Sequence, residues 1–205
     1  MSYDYEQTHE NIMKSAREQF REKGFLGASI RKICADAGVT NGAFYAHFDS
    51  KEDLFCSIVR PCLEGLDNIY SDEKDMYLSI SCAEDILLAF RNAYRSLDNM
   101  IKYLCDNRED FMLILEASRG TEYEDFQEKI IRSEVESMKE FFEISREYIK
   151  NKENISDNII KMGSSFLIST VFEGLKNGLN AEEILHETKL VSDYCAAGYK
   201  CVLGI

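Results

Sequence analysis

The stretch from residue 29 to residue 51 constrains the fold most, because its capping and turn residues allow only very short helices. It reads SIRKICADAGVTNGAFYAHFDSK. Ser29 is expected to cap a first helix, since a serine hydroxyl accepts a hydrogen bond from a free backbone N–H group there. Gly38 supplies the positive φ that ends this helix, and Thr40 caps a second one. The pattern therefore predicts two short helices joined by a tight turn.

The second of these helices has one apolar face and one exposed face. Phe44 and Phe48 lie four residues apart and are expected to point into a core. The residues left on the exposed face are small or polar: Asn41, Ala43, Tyr45, Ala46 and His47. This arrangement is typical of the helix-turn-helix, whose second helix enters the major groove of DNA. The stretch therefore indicates a DNA-binding unit.

Short motifs along the same region support this interpretation. They are Arg31-Lys32-Ile33, Ala37-Gly38-Val39, Gly42-Ala43-Phe44-Tyr45 with His47-Phe48, and Ser50-Lys51-Glu52 with Leu54. Together they resemble the N-terminal signature of the TetR family of bacterial transcriptional regulators. The resemblance extends from about Thr8 to Val59, and beyond it only length and helical character agree. It implies an all-α fold: a helix-turn-helix domain at 6–66, with its motif at about 29–48, and a helical ligand-binding and dimerisation domain at 67–205.

The resemblance also implies which side chains meet DNA. The positions that match phosphate contacts are Ser29, Arg31, Tyr45 and Lys51, and those that approach base edges are Asn41, Gly42, Ala43 and His47. Thr40 completes the predicted DNA-binding set. Two of these roles also have a physical basis. Lys51 begins a helix, where free N–H groups attract phosphate, and the Asn41 amide can form two hydrogen bonds with adenine.

The rest of the chain is predicted to be almost wholly helical. The sequence has 1 proline and 11 glycines among 205 residues, and its 45% hydrophobic content suffices for a packed core. Apolar periodicity predicts a first helix over 8–23, a fourth from Ser50, a long one over 86–104, one of about thirty residues from Thr121, and two after Ser156. Residues 71–81 are the predicted connector. Pro61 either ends or kinks the fourth helix, and the pattern leaves both outcomes open.

Two sets of residues are candidates for further sites. Aromatic and methionine side chains of the middle helices are the candidate effector pocket: Tyr94, Tyr103, Phe111, Met112, Met138, Phe142 and Phe166. Small and apolar residues of the last two helices are the candidate dimer interface, in agreement with the resemblance: Gly163, Phe166, Leu167, Thr170, Gly174, Val191, Cys195 and Gly198. Both sets have a simpler interpretation as core packing within one chain.

Net charge is the main objection to DNA binding, since a formal value of −13 opposes attraction to phosphate. The distribution of charge answers much of it, because residues 1–60 carry 8 Lys and Arg against 9 Asp and Glu. A near-neutral head beside an acidic body predicts a few well-placed phosphate contacts. The polar N-terminus and the absence of a long apolar run predict a cytoplasmic protein with neither signal peptide nor membrane span.

Enzymatic, metal-binding and cofactor-binding functions have little support. The 7 cysteines form no C-x-x-C pair and have no histidine at ligand spacing, so most are interpreted as small core residues, with a redox role for one of them left open. The 3 histidines lie far apart, and neither a nucleophile elbow nor a phosphate-binding glycine loop occurs. No enzyme, metal site or cofactor is therefore predicted.

The sequence thus predicts a ligand-responsive transcriptional regulator that binds a palindromic operator as a homodimer. A repressor is favoured, and the effector is an unidentified small molecule. Two alternatives stay open: an activator, and a helical ligand-binding or interaction protein that has lost operator reading.

Overall fold

The computed structural model of the chain describes residues 2–73 and 80–205, apart from the side chains of 2–4, 70–73, 92–94 and 96. Ten α-helices lie in this part of the chain: α1 Ser2–Gly27, α2 Ile30–Ala37, α3 Asn41–Phe44, α4 Lys51–Glu73, α5 Ala83–Ser96, α6 Asp98–Asp106, α7 Arg108–Met112, α8 Phe126–Ile144, α9 Asp157–Lys176 and α10 Ala181–Leu203. A π-helical turn, Leu113–Ala117, follows α7, and no strand occurs among the described residues. The predicted all-α fold is confirmed.

The chain divides into two compact units, of which the first contains residues 1–65 and 107–126. Its core is built from helix stripes that the sequence predicts, with Phe20, Phe44 and Phe55 fully buried. The second segment of this unit was not predicted, because its partners lie far away in sequence. Arg17 of α1 forms a two-pronged ion pair with Asp110 of α7, at 2.6 Å from Nε to Oδ1 and 3.0 Å from Nη2 to Oδ2.

The second unit contains residues 66–106 and 127–205. In it α10 packs against both α5 and α9. Its core is aromatic: the rings of Phe90 and Tyr199 stack at 4.5 Å, and Phe141 and Phe142 meet Phe90 at 5.5 and 5.9 Å. Ser156 caps α9 by accepting a hydrogen bond from Ile159 N at 3.4 Å, which confirms that predicted helix start.

Several helix boundaries differ from the predicted ones. Gly24 interrupts α1 at the predicted end, with φ 65° and ψ 169°, but helical residues continue beyond it to Gly27. The long helix predicted over 86–104 is two helices, since α5 ends at Ser96 and α6 begins at Asp98. The helix predicted from Thr121 begins only at Phe126, because the Thr121 hydroxyl instead accepts a hydrogen bond from Tyr123 N in a turn.

Pro61 neither ends α4 nor separates it into two helices, since α4 continues to Glu73. The start of this helix agrees with the predicted capping pattern: the Ser50 hydroxyl accepts from Asp53 N at 3.0 Å, and the Asp53 carboxylate accepts from Asp49 N at 3.0 Å. Of the predicted connector, 74–79 lie outside the described residues. No helix in the described ranges is long and apolar enough to cross a bilayer.

Candidate DNA-binding surface and effector cavity

The turn between α2 and α3 has the geometry that the sequence predicts. Gly38 adopts φ 70° and ψ 28°, a left-handed conformation that suits glycine, and its N–H donates to the last carbonyls of α2. Thr40 then caps α3, its hydroxyl accepting from Ala43 N at 3.1 Å. Behind the turn, Phe44 and Phe48 are buried in the core of the first unit. The turn therefore fixes α3 with one face turned outward.

The outward face carries most of the predicted DNA-binding set. Ser29, Arg31, Thr40, Asn41, Gly42 and Tyr45 are exposed, and Ala43 is half-buried. The helical part of this face is short, because α3 ends at Phe44 and residues 45–47 form a turn. Ser29 has the extended backbone of a cap but makes no capping hydrogen bond, so the capping role predicted for its hydroxyl is wrong.

His47 has contacts within the chain that the sequence does not predict. Its ring packs against Tyr5 with 3.9 Å between ring centroids, and His9 lies at 5.5 Å. Desolvation, with a smaller contribution from His9, lowers the pKa of His47, which favours the neutral ring at neutral pH. The Tyr5 hydroxyl also donates to Ala46 O at 3.4 Å. The N-terminal turn of α1 therefore covers His47, and no local sequence pattern shows this contact.

Lys51 also has a role that the sequence does not predict. Its ammonium donates to Phe25 O at 2.6 Å and to Ala28 O at 3.0 Å, and it lies 4.5 Å from the centroid of the Phe25 ring. Desolvation lowers the pKa of this half-buried amine. The ammonium therefore satisfies carbonyls at and just after the end of α1. The phosphate contact of Lys51 stays a prediction.

A family comparison agrees with this geometry. Residues 12–58, which include α2, the Gly38 turn and α3, match the sequence model of the bacterial regulatory proteins of the tetR family. These residues of the chain therefore have the sequence of a TetR-family DNA-binding domain. The predicted resemblance is confirmed, and with it the prediction of a transcriptional regulator with a helix-turn-helix head.

Comparison with individual proteins extends beyond the head. The Transposon Tn10 TetC protein of Escherichia coli is 26% identical over 177 residues, which cover 83% of this chain and 77% of that protein. The HTH-type transcriptional repressor BepR of Brucella suis biovar 1 is 42% identical over 53 residues, only 25% of its own length. Among solved structures, that of NalD, the secondary repressor of the MexAB-OprM multidrug efflux pump in Pseudomonas aeruginosa, matches with a TM-score of 0.57 at 19% identity. The match covers 93% of this chain and 97% of NalD, and a structural match at 19% identity shows the fold alone.

The second unit contains a small cavity of ≈ 30 Å³, lined by α5, α8, α9 and α10. Its walls are mainly apolar or aromatic: Ala89, Phe90, Met138, Phe141, Leu167 and Tyr199. Glu134 is the single charged residue of this described lining. Desolvation raises the pKa of Glu134, because burial disfavours the ionised carboxylate.

The predicted effector-pocket residues are scattered rather than gathered. Met138 lines the cavity, and Phe142 lies in the neighbouring aromatic core. Phe111 is buried in the first unit, where its ring meets Phe126 at 5.6 Å, and Met112 belongs to the same unit. Phe166 is exposed. Tyr103 does not line the cavity, and the side chain of Tyr94 lies outside the described residues.

The glycines predicted at the dimer interface pack within one chain instead. A Cβ added to Gly174 would lie 2.7 Å from Ile184 Cγ1, and one added to Gly163 would lie 1.9 Å from the Tyr199 hydroxyl. These two glycines therefore allow α9 and α10 to approach closely. Leu167 and Cys195 are likewise buried inside the chain.

The outer face of α9 and α10 has different residues from those two glycines. Thr170 and Val191 are half-buried and Gly198 is exposed. Sequence reasoning missed the large exposed side chains on these two helices, namely Met162, Leu190 and Tyr194, which accompany the predicted Phe166. The Phe166 and Tyr194 rings meet at 6.2 Å, so α9 and α10 share this surface.

Proposed function

We propose that the chain is a ligand-responsive repressor that binds a palindromic operator as a homodimer. The observation that carries the proposal is the helix-turn-helix, in which Gly38 and Thr40 fix α3 with Asn41 and Gly42 exposed. A relative adds support, since BepR, which is 42% identical over 53 residues, is named as a repressor. Transcriptional regulation of this kind needs no catalysis, and it takes place in the cytoplasm, where the DNA is.

The proposed DNA contacts are the exposed residues of the predicted set. Arg31, Ser29 and Tyr45 reach phosphates, whereas Asn41 and its small neighbours Gly42 and Ala43 let the start of α3 approach base edges. The second unit, residues 66–106 and 127–205, is proposed to bind the effector and to hold two copies together. Two-fold symmetry then places the recognition helices in successive major grooves, roughly 34–36 Å apart, and requires an inverted repeat in the operator.

The proposed dimer surface is the exposed outer face of α9 and α10. Leu190 is 55% exposed and Tyr194 68% exposed, which leaves apolar area that a second copy would cover. Such an interface is isologous, because the same face of both copies meets about a two-fold axis. An effector that binds one dimer geometry better than another would shift the population between DNA-binding and non-binding states.

The proposal is tested by titrating labelled DNA from upstream of the protein's own gene and following fluorescence anisotropy at several salt concentrations. A repressor of this kind binds one site much more tightly than unrelated DNA, and its affinity falls steeply as salt increases. Equal affinity for all sequences would contradict the proposal.

Sedimentation of the Tyr194→Glu variant tests the dimer surface. The variant is expected to be monomeric and to lose operator affinity, whereas a fully dimeric Tyr194→Glu protein would contradict the assignment.

A further inference from the structure

The cavity of the second unit combines one acidic group with aromatic walls. Glu134 projects from α8, and Phe90 of α5 and Tyr199 of α10 line the same cavity. The two rings stack at 4.5 Å, and Phe141 meets Phe90 edge-on at 5.5 Å. Carboxylates and aromatic ring faces both attract positive charge. The lining therefore favours a cation over a neutral or anionic molecule.

Glu134 has no partner of its own to neutralise it. No hydrogen bond or ion pair of its carboxylate is found in the part of the chain that the structure describes, and the side chain is half-buried. The neighbouring Ser192 hydroxyl donates to Phe90 O at 2.5 Å, so it is already used within the chain. A partly desolvated carboxylate without a partner is costly, and a bound cation would reduce that cost.

The free volume limits the group that enters. At ≈ 30 Å³ the cavity accommodates about one or two water molecules, which is the size of an ammonium head. A longer apolar part has to displace a side chain, and Met138 is the flexible one at the wall. The rest of the body adds a long-range contribution, because residues 61–205 hold about −12 of the formal charge.

We propose that the effector is an organic ammonium ion, with its charged nitrogen against Glu134 and the rings of Phe90 and Tyr199, and its apolar part beside Met138. This inference rests on the proposed function, since it names the chemical class of the effector. The positive charge of the ligand determines which molecules bind preferentially. Contacts with the apolar walls add affinity for a ligand of any charge.

Three probes of similar size and different charge test the inference on the full-length protein. They are 2-phenylethylamine, which is cationic at neutral pH, 2-phenylethanol, which is neutral, and 3-phenylpropanoate, which is anionic. Isothermal titration calorimetry measures the affinity of each for the unaltered protein, for Glu134→Gln and for Glu140→Gln. Glu140 is an exposed acid of the same helix, so its variant makes the same charge change away from the cavity.

The amine is expected to bind more tightly than the alcohol, and Glu134→Gln to weaken amine binding by about tenfold or more while Glu140→Gln leaves it unchanged. Equal affinities for amine and alcohol, or equal losses in the two variants, would overturn the inference. Operator titration without any probe is run in parallel. A protein that binds the amine through Glu134 but binds no operator would contradict the proposed function and leave the charge preference of the cavity intact.

Discussion

At the residue scale, Lys51 and His47 are held by partners that lie far away in sequence. Lys51 was predicted from a local motif to meet phosphate, yet its amine is held by the carbonyls of Phe25 and Ala28. His47 was predicted to face DNA, yet it packs against Tyr5. Glu134 resembles the many surface acids of an amphipathic helix, and only the fold shows that it lines a cavity. Motif positions predict exposure well, but they do not predict such contacts.

Lys51 and Arg31 are expected to behave differently when substituted. Lys51→Met removes two hydrogen bonds to backbone carbonyls and is expected to lower the free energy of unfolding by about 1–2 kcal/mol. Arg31 is exposed, so Arg31→Ala is expected to keep stability while reducing the slope of log affinity against log salt by about 1. Urea denaturation and salt-dependent DNA titration measure the two effects. Full stability in Lys51→Met would show that its amine is not needed inside the head.

Glu134 gives a prediction about stability and pH. Burial raises the pKa of Glu134 above its ordinary 4.5, so the folded protein binds this proton more tightly than the unfolded chain does. The stabilisation of the folded protein by the protonated Glu134 side chain is complete below the ordinary pKa. It is lost as pH rises through the raised pKa. Glu134→Gln is therefore expected to raise the thermal midpoint at pH 7 and to match the unaltered protein near pH 4, whereas exposed Glu140→Gln shows little difference. An equal gain for Glu134→Gln at both pH values would contradict the assignment.

The same cavity supplies the pH dependence expected for amine binding. The groups of α10 that line it, Cys195 and Tyr199, both have a pKa raised by burial and stay neutral at pH 7, and the described lining from α5 and α9 carries no titratable group. Glu134 alone therefore sets the charge of the cavity around neutral pH. The affinity for the amine is expected to fall as pH is lowered through the raised pKa of Glu134.

At the element scale, apolar periodicity predicted the existence of the helices better than their ends. Most of the predicted apolar stripe is buried in α1 and in α4, because one face of each helix must meet a core. The division of α5 from α6 and the late start of α8 were missed. In the second case Thr121 and Glu124, which look like a capping pattern, instead bond the turn at Gly120 and Tyr123. Polar side chains can satisfy a turn as readily as a helix end.

The close contact of α9 with α10 is tested by two glycine substitutions. A Cβ at Gly174 would lie 2.7 Å from Cγ1 of the fully buried Ile184, so Gly174→Ala is expected to destabilise the protein by about 1–3 kcal/mol. Gly198 lies on α10 with nothing within 4 Å of an added Cβ. Gly198→Ala is therefore neutral or stabilising, by up to about 1 kcal/mol from helix propensity. Urea denaturation at one protein concentration compares them, and equal effects would refute the packing role of Gly174.

At the scale of the whole molecule, the sequence predicted two functional parts but not how the chain is shared between them. The predicted head ended at residue 66, whereas the first compact unit also includes residues 107–126. Arg17 and Asp110 are 93 residues apart, and no local pattern connects them. The difference in net charge between the near-neutral N-terminal region and the acidic remainder of the chain was predicted from the sequence alone. A near-neutral helix-turn-helix region in an acidic chain relies on a few positioned contacts for DNA affinity.

We propose that α3 presents Asn41 to base edges in both half-sites of a palindromic operator. The most direct measurement compares the unaltered protein and Asn41→Ala on a panel of operators in which each base pair is changed in turn. Asn41→Ala is expected to lose discrimination at one base pair per half-site, at symmetric positions, by about 1–3 kcal/mol. A uniform loss of affinity across the panel, or unchanged discrimination at every position, would contradict this account.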